Sequence, residues 1–351
     1  MIFAAAFISK FSPISSLFVS DLLLSDGKEK WVWNGLSPSR QNGLPHPTLG
    51  VDLVQKMHIC GKYLFLWAGI RIETASIVRE LERLKSKKFN EVKNYLTQYS
   101  DLNLRSLSWA LFHFDGKRIK YITNSFSDDN DETIVVSMGS GSGDLYWDEF
   151  GPMKSNFTHP LVCEEYGGLS PALRAASQRL GEYFYRETQF RMDIEKAYGS
   201  GLEWTVPLKS GGFKKMNYSL CHLLHDGESW GLAAKYHFKY KSKLLTIVSI
   251  FAQRPTFTKG QIGPEFQADI NWCQNTLSDP KSPRINFPDN NLLKCSREFM
   301  IAESSGSFKF RPFARKLFMS KFGSDGHGKL DVKLAGKELN EYFEGIPAKR
   351  L

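Results

Sequence analysis

Apolar residues in the first 20 positions fall into two short runs separated by a polar turn. Ile2–Ser9 and Ile14–Ser20 are joined by Lys10-Phe11-Ser12-Pro13. Neither run approaches the roughly 20 apolar residues that a membrane span needs, and no basic residue precedes the first run, as it would in a signal peptide. The pattern therefore predicts a hairpin of two buried strands rather than a membrane anchor or an export signal.

Strand and helix periodicities alternate over the next part of the chain. Val51–Gly69 predicts two strands around a turn at Cys60-Gly61-Lys62, and apolar residues at helical spacing between Gly69 and Leu84 predict a helix. The dipeptide Asp115-Gly116 between two apolar runs predicts a β-hairpin. The segment Asp26–Gly50, rich in Gly, Pro, Asn and Ser, predicts a long loop.

A long amphipathic segment begins at Ser170-Pro171, where the proline suits the first turn of a helix. Strand character returns near residue 202 and fades after Pro255. Strands, then helices, then strands again favour helices packed on antiparallel sheets over a βαβ array. We predict one domain over residues 1–255, followed by a basic C-terminal extension of unknown form over residues 256–351.

Composition and charge predict a soluble globular protein whose basic residues are in excess in its C-terminal part. Hydrophobic residues make up 42% of the chain and charged residues 24%, which is typical of a soluble globular protein. The five cysteines form no CxxC pair and are odd in number, which predicts reduced thiols and a cytoplasmic location. The net charge of +9 comes entirely from residues 200–351, because residues 1–199 carry 23 basic and 23 acidic residues. Such a surplus is typical either of a nucleic-acid-binding surface or of an ordinary solvated one.

Other candidate motifs give weaker signals. His222 and His225 would face opposite sides of a strand, so we expect no metal site from them. Gly139–Gly143 lacks the Lys-Ser/Thr of a phosphate-binding loop and predicts a tight turn, and we expect no cofactor. Phe308–Phe322 interleaves basic and aromatic residues, which suits nucleic acid, an acidic protein surface or an ordinary surface element. We favour the ordinary surface element.

The order of these segments resembles the proteasome-type N-terminal-nucleophile (Ntn) hydrolases. IFAAAF resembles the family's first strand, and ISSLFVSD resembles the second, which ends at Asp21. The stretch QKMHICGKYLFLWAG is similar to the one that places the family's lysine and glycine, here Lys56 and Gly69. MGSGSG puts the family's serine turn at Ser140 and Ser142. The resemblance implies a four-layer αββα sandwich, in which two antiparallel sheets are flanked by helices.

The same resemblance implies a catalytic arrangement. The family's nucleophile is an N-terminal threonine, serine or cysteine whose own α-amino group acts as the base. The lysine, held by the aspartate, lowers the nucleophile's pKa, and a backbone N–H at the glycine stabilises the oxyanion. Asp21, Lys56, Gly69, Ser140 and Ser142 would form the supporting part of such a site.

The nucleophile itself is not found in the sequence. The first strand begins Met1-Ile2-Phe3, and the nearest hydroxyls, Ser9 and Ser12, have no free amine. We therefore expect a non-catalytic subunit in a homo- or hetero-oligomer, with an ATPase as one candidate partner. Two alternatives remain open. One is an active peptidase or amidohydrolase with an atypical nucleophile, acting on peptides. The other is a nucleic-acid-binding module that uses the basic C-terminal part.

Overall fold

This computed structural model describes residues 4–31, 47–69, 71–103, 107–129, 133–139, 202–225, 230–241, 244–252, 266–273, 297–304 and 307–312. The strands of these residues are, in chain order, β1 (Ala4–Ser9), β2 (Leu17–Asp21), β3 (Leu23–Trp31), β4 (Pro47–Leu53), β5 (Met57–Cys60), β6 (Tyr63–Ala68), β7 (Ser108–Phe114), β8 (Ile119–Thr123), β9 (Phe126–Asp129), β10 (Thr133–Met138), β11 (Leu202–Pro207), β12 (Phe213–Lys215), β13 (Tyr218–His225), β14 (Trp230–Lys241), β15 (Leu244–Ala252), β16 (Phe266–Cys273), β17 (Arg297–Ser304) and β18 (Ser307–Pro312). The helices are α1 (Arg71–Leu84) and α2 (Phe89–Asn103), and a short 3-10 helix spans Pro13–Ser15.

The predicted N-terminal hairpin is confirmed over its described residues. Strands β1 and β2 pair antiparallel, with Ala4 opposite Ser20, and all of their residues are buried. Two serine hydroxyls brace the connection: the Ser9 N–H donates to Ser16 Oγ and the Ser12 N–H donates to Ser9 Oγ, each at 3.1 Å. The polar residues between the two apolar runs thus satisfy backbone groups that the ladder leaves unpaired.

Two other local predictions are confirmed. Helix α1 covers the segment with helical spacing, and β7 and β8 form the hairpin that turns at Asp115-Gly116. Gly116 has a φ of 99°, a backbone conformation that residues with a side chain rarely adopt. Asp115 Oδ1 accepts the N–H groups of Lys117 at 2.8 Å and Arg118 at 2.9 Å. The predicted helix at Ser170-Pro171 lies outside the described residues.

The predicted loop over Asp26–Gly50 is wrong at both ends. Strand β3 continues to Trp31 and strand β4 begins at Pro47, and the two pair antiparallel. Leu23 lies opposite Leu53 at the open end of this ribbon. Cross-strand pairing therefore outweighs a composition that is typical of loops.

Two sheets pack face to face around one of the two apolar clusters found among the described residues. The first has the strand order β12-β11-β2-β1-β10-β9, and the second has the order β5-β6-β7-β8. Between them lies a cluster of apolar side chains: Ala4, Ala6, Ile8, Phe18, Met57, Leu64, Leu66, Ala68, Ala110, Phe112, Phe114, Val136, Met138 and Phe213. Phe18 makes edge contacts with Phe112 and Phe213, with ring centroids 4.9 and 5.2 Å apart. Alternate residues of each strand thus meet in one buried layer.

Both described helices cover the opposite face of the four-stranded sheet. Trp67 and Phe65 of β6 belong to a second buried cluster with Val78 of α1 and Leu96 of α2. The amphipathic spacing of the helices explains this placement, because residues three or four positions apart form one apolar stripe. The order of layers in this region is helix, sheet, sheet.

The predicted four-layer αββα sandwich is wrong. Most of the described residues lie in strands, and only two α-helices are found among them. A further six-stranded sheet has the order β16-β15-β14-β13-β17-β18, and its β13–β17 pair is parallel. The physical reason lies in long runs such as Leu244–Ala252, rich in β-branched and aromatic residues, which pair with one another in a sheet of their own.

This last sheet joins the first one through Tyr218. Its ring stacks on Trp204 of β11 at 4.9 Å and on Phe238 of β14 at 4.4 Å. Its hydroxyl donates to the Leu202 carbonyl at 2.7 Å. The strand pair β15–β16 spans the predicted domain boundary after residue 255, and the division into two parts stays a prediction. Neither described helix has the length and apolar character required to cross a membrane.

Candidate functional site

A buried ion pair lies where β2 ends. Asp21 is the last residue of β2, and Lys56 lies in the connection between β4 and β5. Lys56 Nζ is 2.5 Å from Asp21 Oδ1, and both side chains have 0% exposure. Charges removed from water are tolerated only when they are paired. Each of these two groups therefore requires the other.

Backbone hydrogen bonds hold the connection that carries Lys56. The Val54 N–H donates to the Leu22 carbonyl at 2.9 Å, which attaches the connection to the end of β2. The Trp67 N–H donates to the Lys56 carbonyl at 3.2 Å, which attaches it to β6. Lys56 is thus fixed between the two sheets that form the core.

A second buried carboxylate, Glu203 of β11, holds the same connection. One oxygen, Oε1, accepts the N–H of Lys56 at 2.7 Å and that of Met57 at 2.6 Å. It also accepts the Ser20 hydroxyl at 3.1 Å. Ser20 lies opposite Glu203 in the β2–β11 ladder, and Asp21 lies opposite Leu202. The strand pairing therefore brings both carboxylates to one place.

The other Glu203 oxygen faces a second ammonium group. Lys215 Nζ is 2.8 Å from Glu203 Oε2, and it also donates to the side-chain oxygen of Gln55. The Tyr240 hydroxyl donates to Oε2 at 3.4 Å, and Lys215 Nζ lies 5.0 Å from the centre of the Tyr240 ring. The side chain of Glu203 has 0% exposure and that of Lys215 has 13%.

Together these residues form what we call the two-pair cluster: Asp21, Lys56, Glu203 and Lys215. Two carboxylates balance two ammonium groups, so the cluster is neutral as a whole. Charge-assisted hydrogen bonds of 2.5 to 2.8 Å are short and strong. Such an arrangement fixes strand positions in the core, and it holds one ammonium group, Lys56, at the end of the N-terminal hairpin.

The structure brings together two of the five site residues expected from the sequence. Asp21 and Lys56 are in direct contact. Gly69 follows β6, two positions after the residue that bonds the Lys56 carbonyl, and has a φ of 142°. Ser140 and Ser142 lie outside the described residues. A catalytic role for any of the five stays a prediction.

The two serines considered as substitute nucleophiles lie far from the cluster along the hairpin. Ala4, at the start of β1, pairs with Ser20, which precedes Asp21 in the chain. Ser9 lies at the other end of β1. At about 3.3 Å per strand residue, that separation is roughly 17 Å. The Ser12 hydroxyl is 2.8 Å from the Ser15 hydroxyl. Both serines thus serve the turn.

Sequence reasoning missed Glu203 and Lys215. The available signal was a glutamate flanked by apolar residues in the strand sequence LEWTVP. Such a position predicts burial, and a buried glutamate almost always has a partner of opposite charge or a hydrogen-bond donor. No partner could be assigned to it, because the partners lie on β2, β5, β12, β14 and the β4–β5 connection. The chain matches no protein-family model and no functionally curated protein.

Proposed function

We propose that the protein is a non-catalytic, proteasome-subunit-like protein that serves as a structural or regulatory subunit of a cytoplasmic oligomer. The observation that carries this proposal is the full enclosure of the Asp21–Lys56 pair, with 0% exposure on both sides. A lysine that assists hydrolysis must contact the nucleophile or the substrate. An ammonium group with no exposed surface is suited instead to holding the fold.

Glu203 supports the same interpretation. Its two oxygens accept hydrogen bonds from two backbone N–H groups, two hydroxyls and one ammonium group. A carboxylate that acts as a general base needs an accessible lone pair and a route to the substrate proton. Glu203 is instead saturated as an acceptor and fully buried. Its role is to fix the Lys56 backbone.

A surface at the far end of the N-terminal hairpin supports assembly. Phe11 is 75% exposed and Ile14 is 45% exposed in the β1–β2 connection, and Phe126 is 55% exposed on β9. Lys10 Nζ bonds Asp129 Oδ1 at 2.5 Å and holds this connection against β9. Among the strands of the described residues, β9 is the outer one of its sheet. Exposed apolar side chains grouped on one surface are typical of protein–protein contacts.

The test of assembly is the mass of the full-length protein in solution, measured by light scattering after size-exclusion chromatography. We expect an oligomer in the wild type, with Phe11→Ser and Phe126→Ser both shifting it towards the monomer. Leu208→Ser is the matched control, because Leu208 is also exposed but lies beyond β11. A wild type that is monomeric at every concentration tested contradicts the proposed role.

The test of the catalytic alternative uses the same preparation. A panel of fluorogenic peptides and simple amides is incubated with wild type and with Lys56→Met. We expect no hydrolysis above background in either protein. Hydrolysis by the wild type that disappears in a folded Lys56→Met variant would replace our proposal with an active peptidase or amidohydrolase.

A further inference from the structure

A second group of chemically active side chains lies at the helix–sheet interface, away from the two-pair cluster. His58 and Cys60 are two residues apart on β5, so they share one face of the sheet. Cys60 belongs to the buried cluster beneath α1, and Glu82 of α1 approaches His58. The intervening Ile59 packs against the other cluster, between the sheets.

The three side chains converge closely. His58 Nε2 is 3.2 Å from Glu82 Oε1. A ring nitrogen of His58, Sγ of Cys60 and a carboxylate oxygen of Glu82 all lie within 4.8 Å of one another. A tetrahedral zinc ion holds its nitrogen, sulfur and oxygen ligands roughly 3.3 to 3.7 Å apart, as follows from its bond lengths. Small side-chain rotations therefore suffice to bring three ligand atoms to one ion.

Burial and ligand type both suit a borderline-soft cation. His58 is 4% exposed and Cys60 is 1% exposed, so the imidazole and the thiol are shielded from solvent. The side chain of Glu82 is 24% exposed, which leaves one open side for a water ligand. Lys85 Nζ lies 3.9 Å from Glu82 Oε2, the oxygen that does not contact His58. Imidazole, thiolate and carboxylate with one open position form a ligand set that zinc accepts.

We propose that His58, Cys60 and Glu82 bind one zinc ion. The ion joins β5 to α1 and so attaches the helical layer to the edge of the four-stranded sheet. Binding releases the thiol proton of Cys60, because the thiolate is the ligand. A ligand that binds only the folded chain stabilises it, so zinc raises the temperature at which the protein unfolds. This inference stands apart from the assembly proposed above.

The test is a titration of chelator-treated, reduced full-length protein with Co²⁺, followed by competition with Zn²⁺. Co²⁺ bound to a thiolate absorbs in the near ultraviolet by charge transfer, and tetrahedral Co²⁺ absorbs strongly in the visible. We expect saturation at one Co²⁺ per chain, loss of both signals on adding Zn²⁺, and a higher unfolding temperature with Zn²⁺.

Variants identify the ligands. Cys60→Ser removes the charge-transfer band, whereas Cys221→Ser, on β13 of another sheet, leaves it unchanged. Glu82→Gln keeps the size of the side chain at a partly exposed position and weakens Co²⁺ binding by at least about tenfold, the lower limit seen when even a supporting partner of a metal ligand is lost. It provides the readout if Cys60→Ser does not fold. Absence of the charge-transfer band in the wild type, or its persistence in Cys60→Ser, overturns the proposal and leaves His58 and Glu82 as a hydrogen-bonded pair.

Discussion

Glu203 accepts the backbone N–H of Lys56 at 2.7 Å, across 147 positions of sequence. Through this bond the Glu203 carboxylate fixes the backbone of Lys56, not its ammonium group. The ammonium group then meets Asp21, one residue after the Ser20 hydroxyl that also bonds Glu203. One ion pair is thus positioned by the other, and both lie in the core of the fold.

Glu203→Gln is expected to destabilise the protein strongly. The substitution keeps the size of the side chain but removes the charge that balances Lys215. Removing one partner of a buried pair costs about 3–5 kcal/mol. We expect the lower end, about 3 kcal/mol, because Lys215 is 13% exposed and retains some access to water. The measurement is urea unfolding at one fixed protein concentration.

The matched control for this variant is Glu91→Gln. Glu91 lies on the surface of α2, with a side chain that is 52% exposed and 3.6 Å from Lys87. Exposed pairs of this kind contribute about 0–1 kcal/mol. Equal effects of the two substitutions would show that burial of Glu203 has no energetic consequence.

Tyr218→Phe tests the joint between the first sheet and the sheet that contains β13. The variant removes the hydroxyl that donates to the Leu202 carbonyl, and we expect the free energy of unfolding to fall by about 1 kcal/mol. Tyr218→Ala also removes the ring stacked between Trp204 and Phe238 and is expected to cost about 3–5 kcal/mol. Thermal unfolding of both variants gives the comparison. A larger loss in the Phe variant than in the Ala variant would contradict this assignment.

His113 is expected to make stability depend on pH. Desolvation lowers the pKa of His113 from its ordinary value of 6.5, nearby Asp115 raises it, and Lys120 and Lys62 lower it further. The unfolded chain therefore binds a proton at a higher pH than the folded chain does. The stability contributed by the neutral ring is fully present above pH 6.5 and is lost as the pH falls below that value towards the lowered pKa.

His113→Phe removes this dependence while keeping a ring against Tyr63 and Phe89. We expect the free energy of unfolding to fall more for the wild type than for the variant when the pH is lowered from 7.5 to 5. NMR titration of His113 provides the direct check. A His113 pKa above 6.5 in the folded protein would reverse the predicted sign.

Local signals predicted local structure. The Lys10–Pro13 break, the spacing within α1 and the dipeptide Asp115-Gly116 each act within a few residues, and each gave an element that the structure contains. Asp21 and Lys56 were paired through a resemblance in segment order and not through any local pattern. Their contact joins residues that are 35 positions apart.

The remaining features of the fold and the site depend on contacts between residues far apart in the chain, which the sequence pattern does not predict. Ser20 and Glu203 are 183 positions apart, and only the β2–β11 ladder makes them neighbours. The convergence of His58 with Glu82 likewise depends on how α1 lies on its sheet. The four-layer prediction failed for the same reason. The strand pattern after residue 202 gave strands but not their partners, and β13 pairs in parallel with β17 in a separate sheet.

The most direct test of the structural role of the Asp21–Lys56 pair is a double-mutant cycle on the free energy of unfolding. Asp21→Asn, Lys56→Met and the double variant are compared with the wild type in urea. We predict that each single substitution costs about 3–5 kcal/mol, because it leaves an uncompensated buried charge, and that the double variant costs clearly less than their sum. Single variants as stable as the wild type, with additive effects, would contradict a structural role for the pair.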